Sequence, residues 1–395
     1  MQVINAPNEI SSATAQVLAF EKLHPNIHIK VQGSSNAGNT QDQIAQAVAH
    51  TLPDIIWTAD VFTQEEATHG ILLNLSPYMQ AYGYKESQFQ QGMMKLGRWG
   101  GKQYVIPRGF DQVVVQYNPN LFHKFHVPLP KEGWTWTQFL AASKQLTKKV
   151  GKTQYYAVGS EWTNTAYPIY EPFVRMYGGH FLSKNGKSST MDSPIVIKGV
   201  TTMMDFGRNY TSWFDNLPRD PFLSGLAAMD FTVRPMLMGQ LNPQRNKWEE
   251  NFKINVVNFP LFPHPQIGAG MSGYAVTTDC KYPNAAAAFM MFLLSKQGEL
   301  IRSRVAGSVP IRLDLKSSQV WRSAIHVGYP LNNNAFVDYA KYDSFPPNEP
   351  VGAVGPIQTD IGNAFSEIQL KRMSIAAAMK QLSAQIDSAL ANNGQ

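Results

Sequence analysis

The sequence is poor in cysteine and in long apolar runs. Cys280 is the single cysteine in 395 residues, so an internal disulfide is impossible. This suits a cytosolic protein, or a cell-surface protein whose core is large enough to need no covalent staples. The longest apolar run, 285–294, falls short of the roughly 20 residues of a membrane span and predicts a buried helix.

Motifs of common catalytic sites are also missing. The chain contains no HExxH, no phosphate-binding P-loop, no GxGxxG after a strand and no GxSxG. Its nine histidines are not clustered at metal-ligand spacings, so we expect no metal and no cofactor. We predict that the protein is not an enzyme. Paired carboxylates for glycoside hydrolysis stay open, because any two Asp or Glu side chains could meet in the fold.

The composition is that of an ordinary globular protein. Hydrophobic residues make up 44% and charged residues 16% of a chain that is long enough for two or three domains. The net charge of +6 could indicate a nucleic-acid partner, but Lys and Arg are scattered rather than grouped. We therefore expect no nucleic-acid partner. The positive charge is interpreted as a contribution to solubility or as a source of attraction to an anionic cell surface.

The first sixty residues alternate between strand and helix patterns. Strands are predicted at 2–5, 27–31 and 52–57, and Ser11 or Ser12 is the predicted cap of the first helix. This rhythm predicts a parallel sheet. Ligands of such sheets bind beyond the carboxyl ends of the strands. That rule places four residues on one rim: Asn8, Glu9, Trp57 and Asp60.

The stretch 99–136 organises the rest of the chain. Two apolar runs, 103–106 and 113–115, flank three residues that look exposed, Arg108, Phe110 and Asp111. An amphipathic helix is predicted to follow over 136–146. Two strands separated by charged and aromatic residues indicate a crossing between two lobes, and residues at such a crossing would face a cleft.

Several motifs follow one another along the chain. They include GK-x-Y-x-x-P at 101–107, YN at 117–118 and W-T-W-x-x-F at 134–139. Others are HPN-I-x-I-x-V at 24–31, LPDII at 52–56 and G-x-A-A-M at 225–229. Together they resemble family 1 of the extracellular solute-binding proteins of ABC importers, in particular the maltose- and oligosaccharide-binding branch. Each motif is weak alone, but their order and spacing cover nearly the whole chain.

The resemblance implies an α/β fold with two lobes, the periplasmic-binding-protein fold, in which each lobe is a mostly parallel sheet flanked by helices. Lobe I would comprise 1–112 and 262–310, and lobe II 113–261 and 311–395. Three hinge crossings are expected near 111–114, 260–263 and 307–313. Two helices should close the chain, and the second should dock through an apolar stripe: Ile375, Met379, Leu382, Ile386 and Leu390.

The resemblance also implies a function. The chain would be the substrate-binding subunit of an ABC importer, holding a sugar, with an oligosaccharide expected, in an interlobe cleft and delivering it to the transmembrane permease subunits. A monomer is expected. As a lipoprotein it would lie on the extracellular face of the membrane, or it would be free in the periplasm, and no signal segment is recognised at the start of the sequence.

The expected ligand-binding residues combine flat aromatic rings with polar side chains. Trp57 and Trp162 are predicted platforms for the apolar faces of a sugar, and Asp60 and Asp111 are predicted acceptors for its hydroxyl groups. Arg108 would orient Asp111 or bind ligand directly. The remaining predicted ligand-binding residues are Asn8, Glu9, Phe110, Asn164, Tyr167, Phe231, Arg234, Met271, Ser272 and Tyr274.

Two alternatives stay open from the sequence alone. One is a secreted glycosidase or lyase. The other keeps the binding role but changes the ligand to an anion, such as a phosphodiester or a uronide, or to a polyamine. Arg108 and Arg234 would suit an anion, whereas the many aromatic residues of the predicted cleft loops favour a neutral sugar.

Overall fold

The computed structural model describes residues 1–159, 167–213, 215, 217, 220–240, 252–325, 329–344 and 353–393, except for the side chains of Tyr167, Pro168, Val354 and Asn393. Contacts within the chain divide it into two compact units. Unit 1 is Met1–Asp111 with Gly270–His326, and unit 2 is Gln112–Ala269 with Val327–Gln395. Within the described ranges, each helix is too short or too polar to cross a bilayer.

The helices of both units are numbered along the chain. They are α1 (Pro7–Leu23), α2 (Thr40–Val48), α3 (Asp60–Thr68), α4 (Ser76–Ala81), α5 (Gln91–Leu96), α6 (Pro119–Lys124), α7 (Trp136–Leu146), α8 (Tyr167–Arg175), α9 (Pro194–Tyr210), α10 (Arg234–Gln240), α11 (Pro283–Leu293), α12 (Lys296–Ala306), α13 (Gln319–Arg322), α14 (Val354–Gln369) and α15 (Ile375–Asn393).

The strands are numbered in the same way. They are β1 (Gln2–Ile4), β2 (Gln32–Ser34), β3 (Ile55–Ala59), β4 (Arg98–Trp99), β5 (Lys102–Gln103), β6 (Val105–Pro107), β7 (Asp111–Gln112), β8 (Val114–Tyr117), β9 (Lys148–Val150), β10 (Thr153–Val158), β11 (Ala227–Thr232), β12 (Asn255–Asn258), β13 (Ile267–Gly270), β14 (Ser272–Val276) and β15 (Asp343–Ser344).

Unit 1 is built around a sheet in which β14 lies between β3 and β6. Both pairings are antiparallel, and they place Tyr274 of β14 opposite Trp57 of β3 and Ile106 of β6. Strands β1 and β2 form a separate parallel pair. Helices α1, α11 and α12 pack together, and Phe20 of α1 meets Phe289 of α11 with ring centroids 5.2 Å apart. Residues distant in sequence therefore form one core.

Unit 2 contains a five-stranded sheet in the order β12–β8–β11–β10–β9. Helices α7, α8 and α9 bury an aromatic cluster, which accounts for the packing of Trp136. Its members are Trp136, Phe139, Phe173, Phe206 and Phe262. Helix α15 packs on α14, and its predicted stripe is buried at Met379, Leu382, Ile386 and Leu390 and half-buried at Ile375. These burials confirm the predicted docking stripe.

The fold class predicted from the sequence is confirmed, but the sheets are mixed rather than mostly parallel. Strands β14 and β8 run antiparallel to both of their hydrogen-bonded neighbours. The predicted strand at 27–31 is also displaced, because the ladder forms at β2 instead. Helix α1 begins at Pro7 rather than after Ser11 or Ser12, since the fixed φ of proline suits a first helical turn.

Two unit boundaries differ from the predicted crossings. The predicted crossing near 260–263 lies inside unit 2, because Leu261 bonds to the backbone of Trp134 and Phe262 packs on Trp136. The predicted crossing near 307–313 lies inside unit 1, because Val309 bridges Phe110 and the carbonyl of Ile311 accepts the amide of Gln90. The first boundary falls between Asp111 and Gln112, and the predicted hinge at 111–114 stays a prediction.

Candidate functional site

The end of the β3–β14–β6 sheet positions the side chains of the candidate site. Asp60 directly follows β3 and begins α3. Its Oδ2 accepts the amide of Met271 at 2.7 Å and its Oδ1 accepts the amide of Val61 at 2.8 Å. Arg108 directly follows β6, and its amide donates to the carbonyl of Ser272 at 3.0 Å. Asp60 and Arg108 are thus fixed to the start of β14 from both sides.

A buried ion cluster lies beside these strand ends, and we call Glu9, Arg108 and Arg302 the charge cluster. Glu9 belongs to the first turn of α1 and Arg302 to α12. Arg302 Nη2 donates to Glu9 Oε1 at 3.2 Å and Nη1 donates to Oε2 at 3.3 Å. Arg108 Nη1 also donates to Glu9 Oε2. The three side chains are 7%, 11% and 3% exposed, so each charge depends on the others for compensation.

Arg108 links this cluster to an aromatic ring. Its Nε donates to the hydroxyl of Ser272 at 2.6 Å, and its guanidinium carbon lies 5.7 Å from the ring centroid of Trp57. That distance is within the range of a cation–π interaction. Gly38 lies against the same ring, since a Cβ at position 38 would be 2.1 Å from Trp57 Cζ3. The indole of Trp57 is therefore held between the backbone of Gly38 and the guanidinium group of Arg108.

Burial controls the protonation of the site. It raises the pKa of Asp60 to about 6, although the amides of Met271 and Val61 act in the opposite direction. Burial also raises the pKa of Asp111, and the positive charges of Arg108 and Arg302 partly offset this. Burial lowers the pKa of Arg108 to about 10, so both arginines stay charged at neutral pH. The site therefore mixes both signs of charge rather than presenting one.

Several polar atoms of the site lack a hydrogen-bond partner among the described residues. Two of them are Nε1 of Trp57, a donor, and Oδ1 of Asp111, an acceptor. Buried polar atoms are nearly always paired in folded proteins, so such atoms indicate a place where a ligand or water binds. A hydroxyl group can accept from an indole and donate to a carboxylate, so it can pair with either atom.

The other predicted residues of unit 1 have different surroundings. Ser272 and Tyr274 belong to β14, beside Arg108 and Trp57. Phe110 and Met271 are each only 3% exposed and contribute to the packing of unit 1. Asn8 is half-buried in the first turn of α1, one residue before Glu9.

The predicted residues of unit 2 have partners within that unit. Phe231 is 2% exposed, and its ring centroid lies 5.3 Å from that of Phe259. Arg234 is fully buried and donates from Nη1 to Asn333 Oδ1 at 2.6 Å. Trp162, Asn164 and the side chain of Tyr167 lie outside the described residues, and their role stays a prediction.

Sequence reasoning missed two residues of this site, Arg302 and Gly38. Arg302 belongs to α12, a helix with a polar composition that is typical of a solvated surface, so its sequence gave no sign of burial. Gly38 lies in a polar loop with φ +85°, a conformation that favours glycine. Its neighbour, the ring of Trp57, follows nineteen residues later in the sequence. Among the described residues, no three His, Cys, Asp or Glu side chains are grouped to hold a metal ion.

The chain belongs to the bacterial extracellular solute-binding protein family, whose sequence pattern matches residues 6–300. It is also similar in fold to solved structures. An ABC substrate-binding protein of Listeria monocytogenes in complex with cycloalternan is 21% identical, with a TM-score of 0.85 over 99% of this chain and 98% of that chain. The sugar-binding protein MalE of Xanthomonas citri is 16% identical, with a TM-score of 0.81 over 99% and 96%.

A third similar structure is UgpB of Mycobacterium tuberculosis in complex with glycerophosphocholine. It is 15% identical, with a TM-score of 0.78 over 98% of this chain and 96% of that chain. At this level of identity the three structures establish a shared two-lobe α/β fold. The nature of the solute has to be argued from the residues of the site itself.

Proposed function

We propose that this chain is the substrate-binding subunit of an ABC importer, and that it captures a neutral oligosaccharide and delivers it to the permease subunits. The observation that carries the proposal is that Arg108 has both an aromatic ring and a carboxylate beside it: its guanidinium carbon lies 5.7 Å from the ring centroid of Trp57, and the charge of Asp111 acts on it. A ring with a free N–H donor and a carboxylate with a free oxygen suit a molecule with apolar faces and many hydroxyl groups.

The charge cluster supports a neutral ligand over an anion. Both arginines direct donors to Glu9, and Arg108 also donates to Ser272. An anion would have to compete with these internal partners and would face Asp60 and Asp111 nearby. The cycloalternan and glycerophosphocholine complexes of similar proteins mark two ligand classes to be compared, a neutral sugar and a phosphodiester.

A ligand screen tests the proposal. Maltooligosaccharides, cycloalternan, mannobiose and glycerophosphocholine should be compared by thermal shift, since a ligand that binds the folded state raises Tm. We expect a sugar to give the largest shift, with an affinity that changes little between low and high salt. A shift from glycerophosphocholine alone would instead identify a protein that binds a phosphodiester.

Variants then locate the sugar. Trp57→Phe keeps a flat ring but removes the N–H donor, and we expect affinity to fall about tenfold, which is a loss of about 1.4 kcal/mol. Arg108→Gln should weaken binding less than Trp57→Phe, because a neutral ligand does not need the guanidinium charge. Arg98→Gln is its matched control, since Arg98 belongs to the same unit and pairs with the exposed Glu86. Unchanged affinity in Trp57→Phe and Asp111→Asn would contradict the proposed location.

We further infer that the bound sugar leaves unchanged. The roles assigned to Asp60 and Asp111 are hydrogen bonding and structural support, not those of an acid and a nucleophile. Purified protein incubated with its ligand should release no reducing sugar. Sustained release that disappears in Asp111→Asn would identify a glycosidase. We also propose that the protein is a monomer without a nucleic-acid partner. It would be lipid-anchored outside the cell or free in the periplasm.

A further inference from the structure

A small cavity lies inside unit 1, immediately behind the charge cluster. Its volume is about 10 Å³, close to the room of about 10–15 Å³ that one water molecule needs. Charged and polar side chains make up much of its wall. The lining residues are Gln16, Ile106, Pro107, Arg108, Tyr274, Leu293, Glu299 and Arg302. A polar wall around a one-molecule space is unusual, because empty cavities in proteins are lined by apolar groups.

Four of the lining residues carry an unsatisfied polar atom. Gln16 Oε1, Glu299 Oε1, Arg302 Nε and the O–H of Tyr274 have no hydrogen-bond partner of normal geometry among the described residues. All four residues are at most 8% exposed, so bulk water does not satisfy these atoms. Leaving such groups unpaired would cost free energy of folding. Their grouping around one cavity indicates that a single partner serves them together.

We propose that this cavity is a binding site for one water molecule. The water accepts hydrogen bonds from Arg302 Nε–H and from the Tyr274 hydroxyl, and it donates to Gln16 Oε1 and Glu299 Oε1. Two accepted and two donated bonds are the full capacity of water, and buried waters make two to four bonds. The chemistry of the four atoms thus matches water at every position.

An ion fits the same atoms less well. A cation would face the guanidinium groups of Arg302 and Arg108, and an anion would face the carboxyl group of Glu299. Burial raises the pKa of Glu299 to about 8, so both forms of this group are present near neutral pH. Water can donate to the carboxylate, or it can accept from the acid and donate to the Tyr274 oxygen instead, whereas an ion cannot make this exchange.

The water joins the three elements that build the candidate site. Gln16 belongs to α1 with Glu9, Tyr274 belongs to β14, and Glu299 belongs to α12 with Arg302. The terminal nitrogens of Arg302 hold Glu9, and the water would occupy its remaining Nε–H. The water therefore completes the hydrogen bonding of the guanidinium that positions Glu9 and, through it, Arg108. This inference does not depend on the ligand class.

High-resolution crystallography of the unliganded protein tests the site directly. We expect a density peak about 2.7–3.2 Å from at least three of the four atoms. Direct pairing of these side chains with a closed cavity would overturn the proposal. A peak with the shorter contacts of a metal ion, at about 2.3–2.6 Å, would also overturn it.

Magnetic relaxation dispersion of water nuclei tests the site in solution, because it counts water molecules with long residence times. Tyr274→Phe should hold one long-lived water fewer than the natural protein. Tyr84→Phe is the matched control, since Tyr84 is in the same unit and donates to the carbonyl of Met291 at 3.0 Å. Should Tyr274→Phe fail to fold, Gln16→Met removes another partner. A count equal to that of the control would refute the proposal.

Discussion

Arg302 holds the carboxylate of Glu9 through both terminal nitrogens of its guanidinium, at 3.2 Å and 3.3 Å. The two residues lie 293 positions apart in the sequence, and both are buried. Such a two-point contact fixes orientation as well as distance. Glu9 in turn accepts from Arg108, so one carboxylate compensates two guanidinium groups at the candidate site.

The first prediction concerns this compensation. Glu9→Gln removes the negative charge that both buried guanidinium groups contact, and Asp111 is left to act on them. We expect the free energy of unfolding to fall by about 3–5 kcal/mol. Urea unfolding at neutral pH measures it. The control is Glu86→Gln, because Glu86 is half-exposed and pairs with Arg98 at the surface, where such pairs contribute less than about 1 kcal/mol. Equal losses in the two variants would show that the charge cluster contributes little.

The second prediction separates backbone strain from a clash with Trp57. Gly38→Ala would place a methyl group 2.1 Å from the indole, whereas Gly83→Ala, at a similar positive φ, meets no atom within 4 Å. Both variants should lose about 1–2 kcal/mol of stability from the left-handed conformation. Only Gly38→Ala should also weaken ligand binding, by tenfold or more, in calorimetry. Equal affinities would mean that the ring position does not matter for the ligand.

The third prediction concerns pH. The pKa of Asp60 is raised from 3.8 to about 6, so the folded state favours the protonated form. The stability that this form contributes is fully present below about pH 4 and is lost as the pH rises through 6. Relative to Asp60→Asn, the free energy of unfolding of the natural protein should fall by about 2–3 kcal/mol as the pH rises from about 4 to just above 6, and it should not fall further at higher pH.

The comparison cancels other buried acids, since Glu66 and Glu299, each with a pKa raised to about 8, titrate in both proteins. Urea unfolding across the pH range gives the difference curve. A flat curve between pH 4 and 7 would show that Asp60 is not protonated in the folded state at these pH values.

The fourth prediction is closure of the hinge on ligand binding. Each unit consists of two separate segments, so the chain crosses between the units. Rotation about a few residues at such crossings is the usual route of closure. Saturating ligand should reduce the radius of gyration in X-ray scattering. The control is a sugar that gives no thermal shift, which should leave the radius unchanged. An unchanged radius with a confirmed ligand would contradict closure.

The sequence predicts the elements of this fold well where periodicity is strong. Helix α7 has the predicted bounds of Trp136 and Leu146, and the apolar stripe of α15 is buried as expected. Both patterns are local, because amphipathic spacing is set by neighbours within a few turns. Strand direction is not local. The antiparallel position of β14 depends on where the chain returns, which no short motif specifies.

The candidate site was predicted in part for the same reason. Asp60 and Arg108 directly follow β3 and β6, so their grouping can be inferred from topology, whereas Trp57 lies within β3 and Asp111 begins β7. Arg302 could not be inferred, because its partner Glu9 belongs to the first turn of a helix that lies 293 residues earlier in the sequence. Phe231 looked like a ligand platform, but its packing against Phe259 becomes visible only when β11 and β12 are seen to flank β8.

The central place of β14 has a consequence for biogenesis. Strands β3 and β6 leave the ribosome early, but the strand that pairs with both of them is Ser272–Val276. Until that segment emerges, the nascent first segment has two strands without their shared partner and cannot complete its core. Unit 1 therefore matures late, after most of the polypeptide has been synthesised.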